Sequence, residues 1–126
     1  MTKRQQIKMY LKFRNELDKI CVPVILSELH MQIYDIKYNN KVVGMMCANP
    51  DYIDCVYIQP EYRRKGLAKK QVLNFVKEHI RYGVRLHIIN NNEPAKAFWN
   101  NLFDLKVVGG NQLDTLYEIV RIKEGM

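Results

Sequence analysis

The 126-residue chain has few of the residues that mark a disulfide-stapled or membrane-spanning protein. It contains three cysteines, with no Cys-x-x-Cys pair, and an odd cysteine count favours reduced thiols over a disulfide framework. No apolar run approaches the about 18 residues that a spanning helix needs, and no signal-like apolar segment follows the first residues. We therefore expect a cytoplasmic protein with no membrane partner.

Metal-ligand spacing is also missing from the sequence. His30, His79 and His87 do not stand at the distances from the cysteines that zinc sites use. No cysteine has a histidine partner that the sequence makes evident, so a thiol nucleophile is not expected either. The sequence predicts no metal cofactor.

What the chain does contain is ordinary globular composition with an excess of cations. Hydrophobic residues make up 48% and charged residues 26%, which excludes disorder and fibrous repeats, and the length suits one domain over residues 1–126. The net charge of +7 favours an anionic partner. Nucleic acid, an acidic lipid surface and a phosphorylated cofactor all satisfy that condition.

Hydrophobic periodicity predicts an α+β domain. In chain order the predicted elements are a helix over 3–20, a short helix ending near His30, strands over 31–38, 42–47 and 52–58, a helix from Leu67 that Gly83 ends, a strand over 84–89, a short helix over 93–102, and strands over 107–111 and 113–122. The strand at 84–89 follows a strand and a helix, so it should lie parallel to the strand at 52–58. The expected architecture is an antiparallel meander, one βαβ unit and a C-terminal hairpin.

A cluster of cations surrounds the start of the central helix. It consists of Arg63, Arg64, Lys65, Lys69 and Lys70. Cations are unfavourable at a helix N-terminus, where the macrodipole already supplies positive charge. Gly66 permits backbone conformations closed to other residues, so the free N–H groups of the first turn can converge on an anion. This segment predicts a phosphate or pyrophosphate site.

Two motifs flank the strand at 84–89. The first is Arg63-x-x-Gly66-x-Ala68, preceded by Pro60-Glu61-Tyr62, and the second is Asn92-x-x-Ala95-x-x-Phe98-Trp99-x-x-Leu102. In this order and spacing they resemble the cofactor-binding core of the GNAT superfamily of N-acetyltransferases. By motif, the resemblance covers about half of the chain.

The resemblance implies a GNAT-like fold with splayed parallel strands and acetyl-coenzyme A as co-substrate. By the same resemblance, the pantetheine arm would lie against Ile58, and Asn92 would contact the coenzyme arm. Trp99 is expected to pack as an aromatic residue of the core or of the cofactor-pocket wall. The pyrophosphate would be held by the loop residues Arg63, Arg64, Lys65, Gly66, Leu67 and Ala68. The implied reaction is acetyl transfer to a primary amine, on a small molecule or a protein, by direct attack in a ternary complex.

Two positions depart from the family pattern. Trp99 stands where family enzymes usually carry a tyrosine that protonates the departing thiolate, and an indole cannot do so. Phe103-Asp104 stands where members commonly have Gly-Phe. For the general base the candidate is Asp54, near the start of the third strand, where regular alternation would place it on one face with Tyr52. Attack by a bound neutral amine, aided by orientation alone, is the alternative mechanism.

Two other functions compete with acetyl transfer. A GNAT-like domain that binds acyl-coenzyme A without turning it over is consistent with Trp99. A small basic nucleic-acid-binding protein that uses the first helix is the less favoured alternative. The sequence leaves the acceptor and the oligomeric state open, with a homodimer among the possibilities.

Overall fold

A computed structural model describes residues 32–123 as a mixed six-stranded sheet with two α-helices. The strands are β1 Gln32–Tyr38, β2 Lys41–Asn49, β3 Tyr52–Ile58, β4 Arg85–Ile89, β5 Phe103–Gly110 and β6 Asp114–Ile122. The α-helices, numbered within this part of the chain, are α1 Leu67–His79 and α2 Glu93–Leu102, and 3-10 turns occur at Pro60–Tyr62 and Ile80–Tyr82. The helices predicted over residues 3–20 and up to His30 lie outside the described residues.

The strand order is β1-β2-β3-β4-β6-β5. β1 to β3 form the predicted antiparallel meander, β4 pairs in parallel with β3, and β5 and β6 form the terminal hairpin, with β6 next to β4. The α+β architecture with one central βαβ unit is confirmed. The β1–β2 turn uses Asn39 and Asn40 at φ 51° and 64°, which suits a two-residue hairpin turn.

The main apolar core lies between the sheet and the two helices. α1 contributes Val72, Phe75 and Val76, all buried, as its helical periodicity predicts. From β4, the alternate residues Leu86 and Ile88 enter the same cluster. The remaining members named from the described residues are Met46, Ala48, Ile53, Val84, Leu102, Phe103 and Ile119. This packing fixes β3 and β4 relative to both helices.

The C-terminal hairpin begins earlier than predicted. We expected its first strand at 107–111, but β5 starts at Phe103, directly after α2. Phe103 has extended backbone angles (φ −139°, ψ 151°), and its N–H donates to the carbonyl of Trp99. An extended residue needs no glycine, so the Phe103-Asp104 pair is compatible with a direct helix-to-strand transition. Complete burial of the Phe103 ring explains why an aromatic residue occupies this corner.

Candidate active site

The parallel strands β3 and β4 separate soon after they meet. They pair at Tyr52–Arg85 and Ile53–Leu86 and at no later position. Beyond these pairs lies a cavity of about 330 Å³ between the strands. Its lining residues are Ile53, Asp54, Cys55, Val56, Arg63, Ala68, Leu86, His87, Ile88, Ile89, Asn92, Pro94, Ala95, Phe98 and Trp99. The splayed strands that the family resemblance implied are therefore present, and the gap between them is open to a ligand.

Asp54 lies in a β-bulge at the closed end of this gap. On the β2 side, Cys47 faces Cys55 and Ala48 faces Ile53, so the register passes over Asp54. A bulge interrupts the alternation of side chains between the two faces of a strand. Regular alternation therefore does not by itself fix the face on which Asp54 lies relative to Tyr52, and their shared face stays a prediction. Asp54 is one of the residues that line the cavity.

Burial changes the acidity of Asp54. Its Oδ2 atom is buried without a hydrogen-bond partner. Desolvation by burial raises the pKa of the carboxyl from 3.8 to about 6, although a side-chain hydrogen bond with Cys55 acts in the opposite direction. A carboxylate that is costly to keep ionised, and that lines a cavity, is suited to accept a proton near neutral pH.

The raised pKa of Asp54 predicts a pH-dependent cost to stability. Well below pH 3.8 the carboxyl is protonated in both the folded and the unfolded chain, so it does not change the stability there. Between about pH 4 and 6 the unfolded chain loses the proton that the folded chain keeps, so stability falls as the pH rises, and the full loss is present above about pH 6. We expect Asp54→Asn to be more stable than the wild type by ~1–2 kcal/mol at pH 8, allowing for solvent screening of a partly exposed carboxyl.

Denaturant unfolding at pH 4 and pH 8 measures this difference. The variant and the wild type should have similar stability at pH 4 and diverge at pH 8. Equal stability at both values, or a less stable variant at pH 8, would show that the Asp54 carboxylate is not strained by its surroundings.

The loop before α1 forms a second concavity, of about 290 Å³. Its lining residues are Ile58, Tyr62, Arg63, Arg64, Gly66, Leu67, Ala68, Lys69 and Phe98. Gly66 is the residue that precedes α1, with φ 74°, and no heavy atom would lie within 4 Å of a Cβ placed there. Arg64 also has a positive φ, 65°. The first turn of α1 has no side-chain cap from Gly66 and contains no acidic residue.

The cations of this loop differ in their contacts. The Arg63 side chain donates from Nε to the carbonyl oxygen of Ile58 at 2.8 Å and lies over the Tyr57 ring, which ties the loop to the end of β3. Lys65 Nζ lies 5.2 Å from the centre of the Tyr38 ring. Arg63 lines both cavities, so it stands where the concavity before α1 meets the gap between the strands. The predicted cluster thus combines a structural tie with exposed charge.

Three other predicted site residues are placed around the gap. Ile58 is buried and lines the concavity before α1. Asn92 lines the gap, but its Oδ1 accepts from the N–H of Ala95, which makes it the N-cap of α2. Trp99 also lines the gap, with its ring 6.1 Å from the Phe103 ring and 26° from parallel to it. The role of Trp99 as a wall of a cofactor pocket stays a prediction.

The sequence analysis missed a contact that joins three strands at the closed end of the gap. The Tyr52 hydroxyl of β3 and Nδ1 of His87 on β4 are hydrogen-bonded at 2.6 Å. On the other side of the ring, Nε2 of His87 lies 3.7 Å from Oδ1 of Asp114 on β6. These residues are 35 and 27 positions apart in the chain, and no spacing rule connects them. The only signal in the sequence for this contact was the presence of a histidine, His87, in the strand after the central helix.

Metal-ligand clusters and membrane-spanning helices are both absent from residues 32–123. That part of the chain brings together no group of three or more His, Cys, Asp or Glu side chains able to hold a metal ion. No helix within it has the length and apolar character needed to cross a membrane. The absence of a metal cofactor and the cytoplasmic location remain predictions.

Comparison with known proteins identifies the fold and the family. No curated protein sequence matches the chain. The PaiA N-acetyltransferase of Thermoplasma acidophilum, solved with coenzyme A, is 17% identical with a TM-score of 0.59, over 94% of this chain and 80% of that one. The ribosomal-protein-S18-alanine N-acetyltransferase of Escherichia coli is 12% identical with a TM-score of 0.60, over 100% of this chain and 95% of that one.

A third solved structure has the same fold. It is a Bacillus subtilis acetyltransferase in complex with coenzyme A, 9% identical with a TM-score of 0.59, over 94% of this chain and 93% of that one. At these identities the likeness concerns the fold. The family model of the GNAT acetyltransferases matches residues 4–103, which is most of the chain. With its splayed strands and its glycine-containing loop before α1, the chain belongs to the GNAT acetyltransferase family.

Proposed function

We propose that this protein binds acetyl-coenzyme A and transfers the acetyl group to a primary amine. The observation that carries the proposal is the continuity between two features, the open loop at Gly66 and the gap between β3 and β4. Arg63, Ala68 and Phe98 line both cavities, so a ligand held at one extends into the other. A pyrophosphate with an extended arm has the shape that this path accepts.

The pyrophosphate would bind to the first turn of α1. Backbone N–H groups at a helix N-terminus bind anions through hydrogen bonds and the helix dipole. Lys69 and Arg64 line this concavity and add positive charge beside it. The loop residues Lys65, Leu67 and Ala68 complete the proposed cradle, and Arg63 braces it through Ile58. This arrangement removes the electrostatic conflict that the basic cluster presents when no anion is bound.

The pantetheine arm would run along the gap toward its closed end. Beyond Ile53, where β4 no longer pairs with β3, the arm would run beside the β3 backbone. From Ile58 to Asp54 is four steps of about 3.3 Å, or roughly 13 Å. Asn92 and Trp99 line the same path and would contact the arm. The thioester would then arrive beside Asp54.

Asp54 is the proposed general base. The amine nitrogen attacks the thioester carbon, the C–N bond forms, the C–S bond breaks, and the proton lost by nitrogen moves to the Asp54 carboxylate. A pKa of about 6 keeps most of this group ionised at neutral pH while making it a stronger base than an ordinary aspartate. Attack by a neutral amine without this base is the alternative mechanism, and the Asp54→Asn variant separates the two.

A coenzyme-binding domain without turnover is the second candidate, and Trp99 favours it. The indole N–H is not an acid that can protonate a leaving thiolate. However, a thiol with an ordinary pKa of about 8.5 is a tolerable leaving group near neutral pH, so transfer does not require an acid at position 99.

Incubation with acetyl-coenzyme A and a library of amines, with free thiol and acetylated product measured together, tests the proposal. We expect thiol release that depends on an amine and equals the acetyl product formed. Thermal protection by the coenzyme without amine-dependent thiol release would support the binding domain instead. Steeply salt-dependent nucleic-acid binding with no thermal shift from the coenzyme would overturn both.

A further inference from the structure

The concavity before α1 has two groups of lining residues. Arg63, Ala68 and Phe98 are shared with the gap between β3 and β4, and the pantetheine arm is proposed to leave the concavity on that side. A coenzyme pyrophosphate joins this arm to an adenosine, so the adenosine lies on the side away from the gap. The lining residues that the gap does not share are Ile58, Tyr62, Arg64, Gly66, Leu67 and Lys69. The surroundings of this second group therefore decide what the adenosine meets.

Tyr62 connects the second group to the hairpin between β1 and β2. Nζ of Lys41, the first residue of β2, donates to the Tyr62 hydroxyl at 3.3 Å and lies 5.5 Å from the centre of the Tyr62 ring. The ring of Tyr38, the last residue of β1, has its centre 5.9 Å from that of Tyr62. Nζ of Lys65, from the loop before α1, lies 5.2 Å from the centre of the Tyr38 ring. These four residues, named here the hairpin cluster, place two lysines beside the concavity.

The lysines of the hairpin cluster carry positive charge that no carboxylate of residues 32–123 neutralises. None of the ion pairs within that part of the chain includes Lys41 or Lys65. Both lysines are exposed. An ammonium group has three donors, and Lys41 uses one of them on Tyr62. The remaining donors of both lysines can bind an anion.

We infer that Lys41 and Lys65 bind the phosphate that coenzyme A carries on its ribose, an inference that rests on the proposed binding of acetyl-coenzyme A. That phosphate is a monoester with about two negative charges at neutral pH and three acceptor oxygens, so it can accept hydrogen bonds from both ammonium groups. Tyr38 and Tyr62 are positioning residues, because their rings hold the long lysine side chains beside the concavity and reduce the freedom that binding removes. The hairpin cluster thus distinguishes coenzyme A from forms without this phosphate.

Calorimetric titration with coenzyme A and with 3′-dephospho-coenzyme A tests this assignment, because the two ligands differ only in that phosphate. We expect the wild type to bind coenzyme A about tenfold more tightly at low salt, a size that suits two exposed ion pairs with one dianion. When Lys41→Gln and Lys65→Gln are combined, the two affinities should become nearly equal, mainly through weaker binding of coenzyme A. The wild-type preference should also decrease with added salt, since exposed charges are screened.

The combination of Lys77→Gln and Lys106→Gln is the charge-matched control. Both of these lysines are exposed and line neither cavity, so this variant removes the same two charges and should keep the wild-type preference. Tyr62→Phe retains the ring and removes only the hydroxyl that accepts from Lys41. Its preference for coenzyme A should lie between those of the wild type and Lys41→Gln.

The outcomes separate this inference from the function on which it rests. If the wild type binds neither ligand, the proposed function and the inference both fail. If it binds both ligands equally well, the role of the hairpin cluster alone is overturned. The same holds if the variant lacking Lys41 and Lys65 binds both ligands more weakly but keeps the preference, because the cluster then only ties the hairpin to the loop.

Discussion

Gly66→Ala should lose affinity for acetyl-coenzyme A by about 10- to 100-fold while remaining folded. The φ of 74° at Gly66 costs an alanine ~1–2 kcal/mol, which lowers the melting temperature by several degrees. The larger effect, on affinity, comes from the position of the added Cβ. A Cβ at residue 66 meets no protein atom within 4 Å, so it projects into the space in which the pyrophosphate would approach the α1 N–H groups. Losing one hydrogen bond to a charged group accounts for the expected decrease in affinity.

Gly83→Ala provides a control with the same backbone strain. Gly83 has φ 70° and follows the 3-10 turn after α1, away from both cavities, and its added Cβ would meet the flexible end of Glu118. Its melting temperature should fall as much as that of Gly66→Ala, but its affinity should stay at the wild-type value. Calorimetric titration together with thermal unfolding measures both quantities. Equal affinity losses in the two variants would mean that Gly66 acts through stability and not through the phosphate site.

Asp54→Asn should lower kcat for acetyl transfer by about 10²–10⁴-fold, the range of general acid–base catalysis. The asparagine amide has nearly the same size but cannot accept a proton. In the wild type, kcat/KM should rise with pH through about 6 as the carboxyl ionises, and this limb should vanish in the variant. A separate limb at higher pH, from deprotonation of the acceptor amine, should remain in both proteins.

Asp51→Asn is the control for this variant. Asp51 is an exposed turn residue three positions earlier and lines neither cavity, so its replacement should leave kcat and the pH profile unchanged. Should Asp54→Asn retain wild-type kcat, the amine attacks without a base, and orientation of the two substrates accounts for the rate. If Asp54→Asn loses activity and gains stability at pH 8, the buried carboxylate lowers the stability of the wild type but is needed for the reaction.

Features that depend on neighbouring residues could be predicted from the sequence. The elements of the described region follow from periodicity and turn residues, because those signals are local. A phosphate site at Gly66 could also be predicted, because a basic cluster at the start of a helix, beside a glycine, has few physical explanations. The start of β5 was placed too late because Phe103 and Asp104 resemble the end of a helix until the burial of Phe103 is known.

The site at the closed end of the gap depended on the pairing of distant segments. Asp54 could be proposed as a base from its place in β3, but its bulge exists only in register with β2, where Cys47 faces Cys55 and Ala48 faces Ile53. The raised pKa of Asp54 follows from the tertiary burial of its carboxyl.

The sequence by itself determined the order of elements within residues 32–123 and the family resemblance, and it predicted the phosphate site at Gly66, since each depends on residues within a few positions of one another. Only the tertiary structure decided the separation of β3 and β4 after Ile53–Leu86, and the contacts of His87 with Tyr52 and Asp114. Those contacts join strands far apart in the chain, and their geometry is set by sheet register and packing.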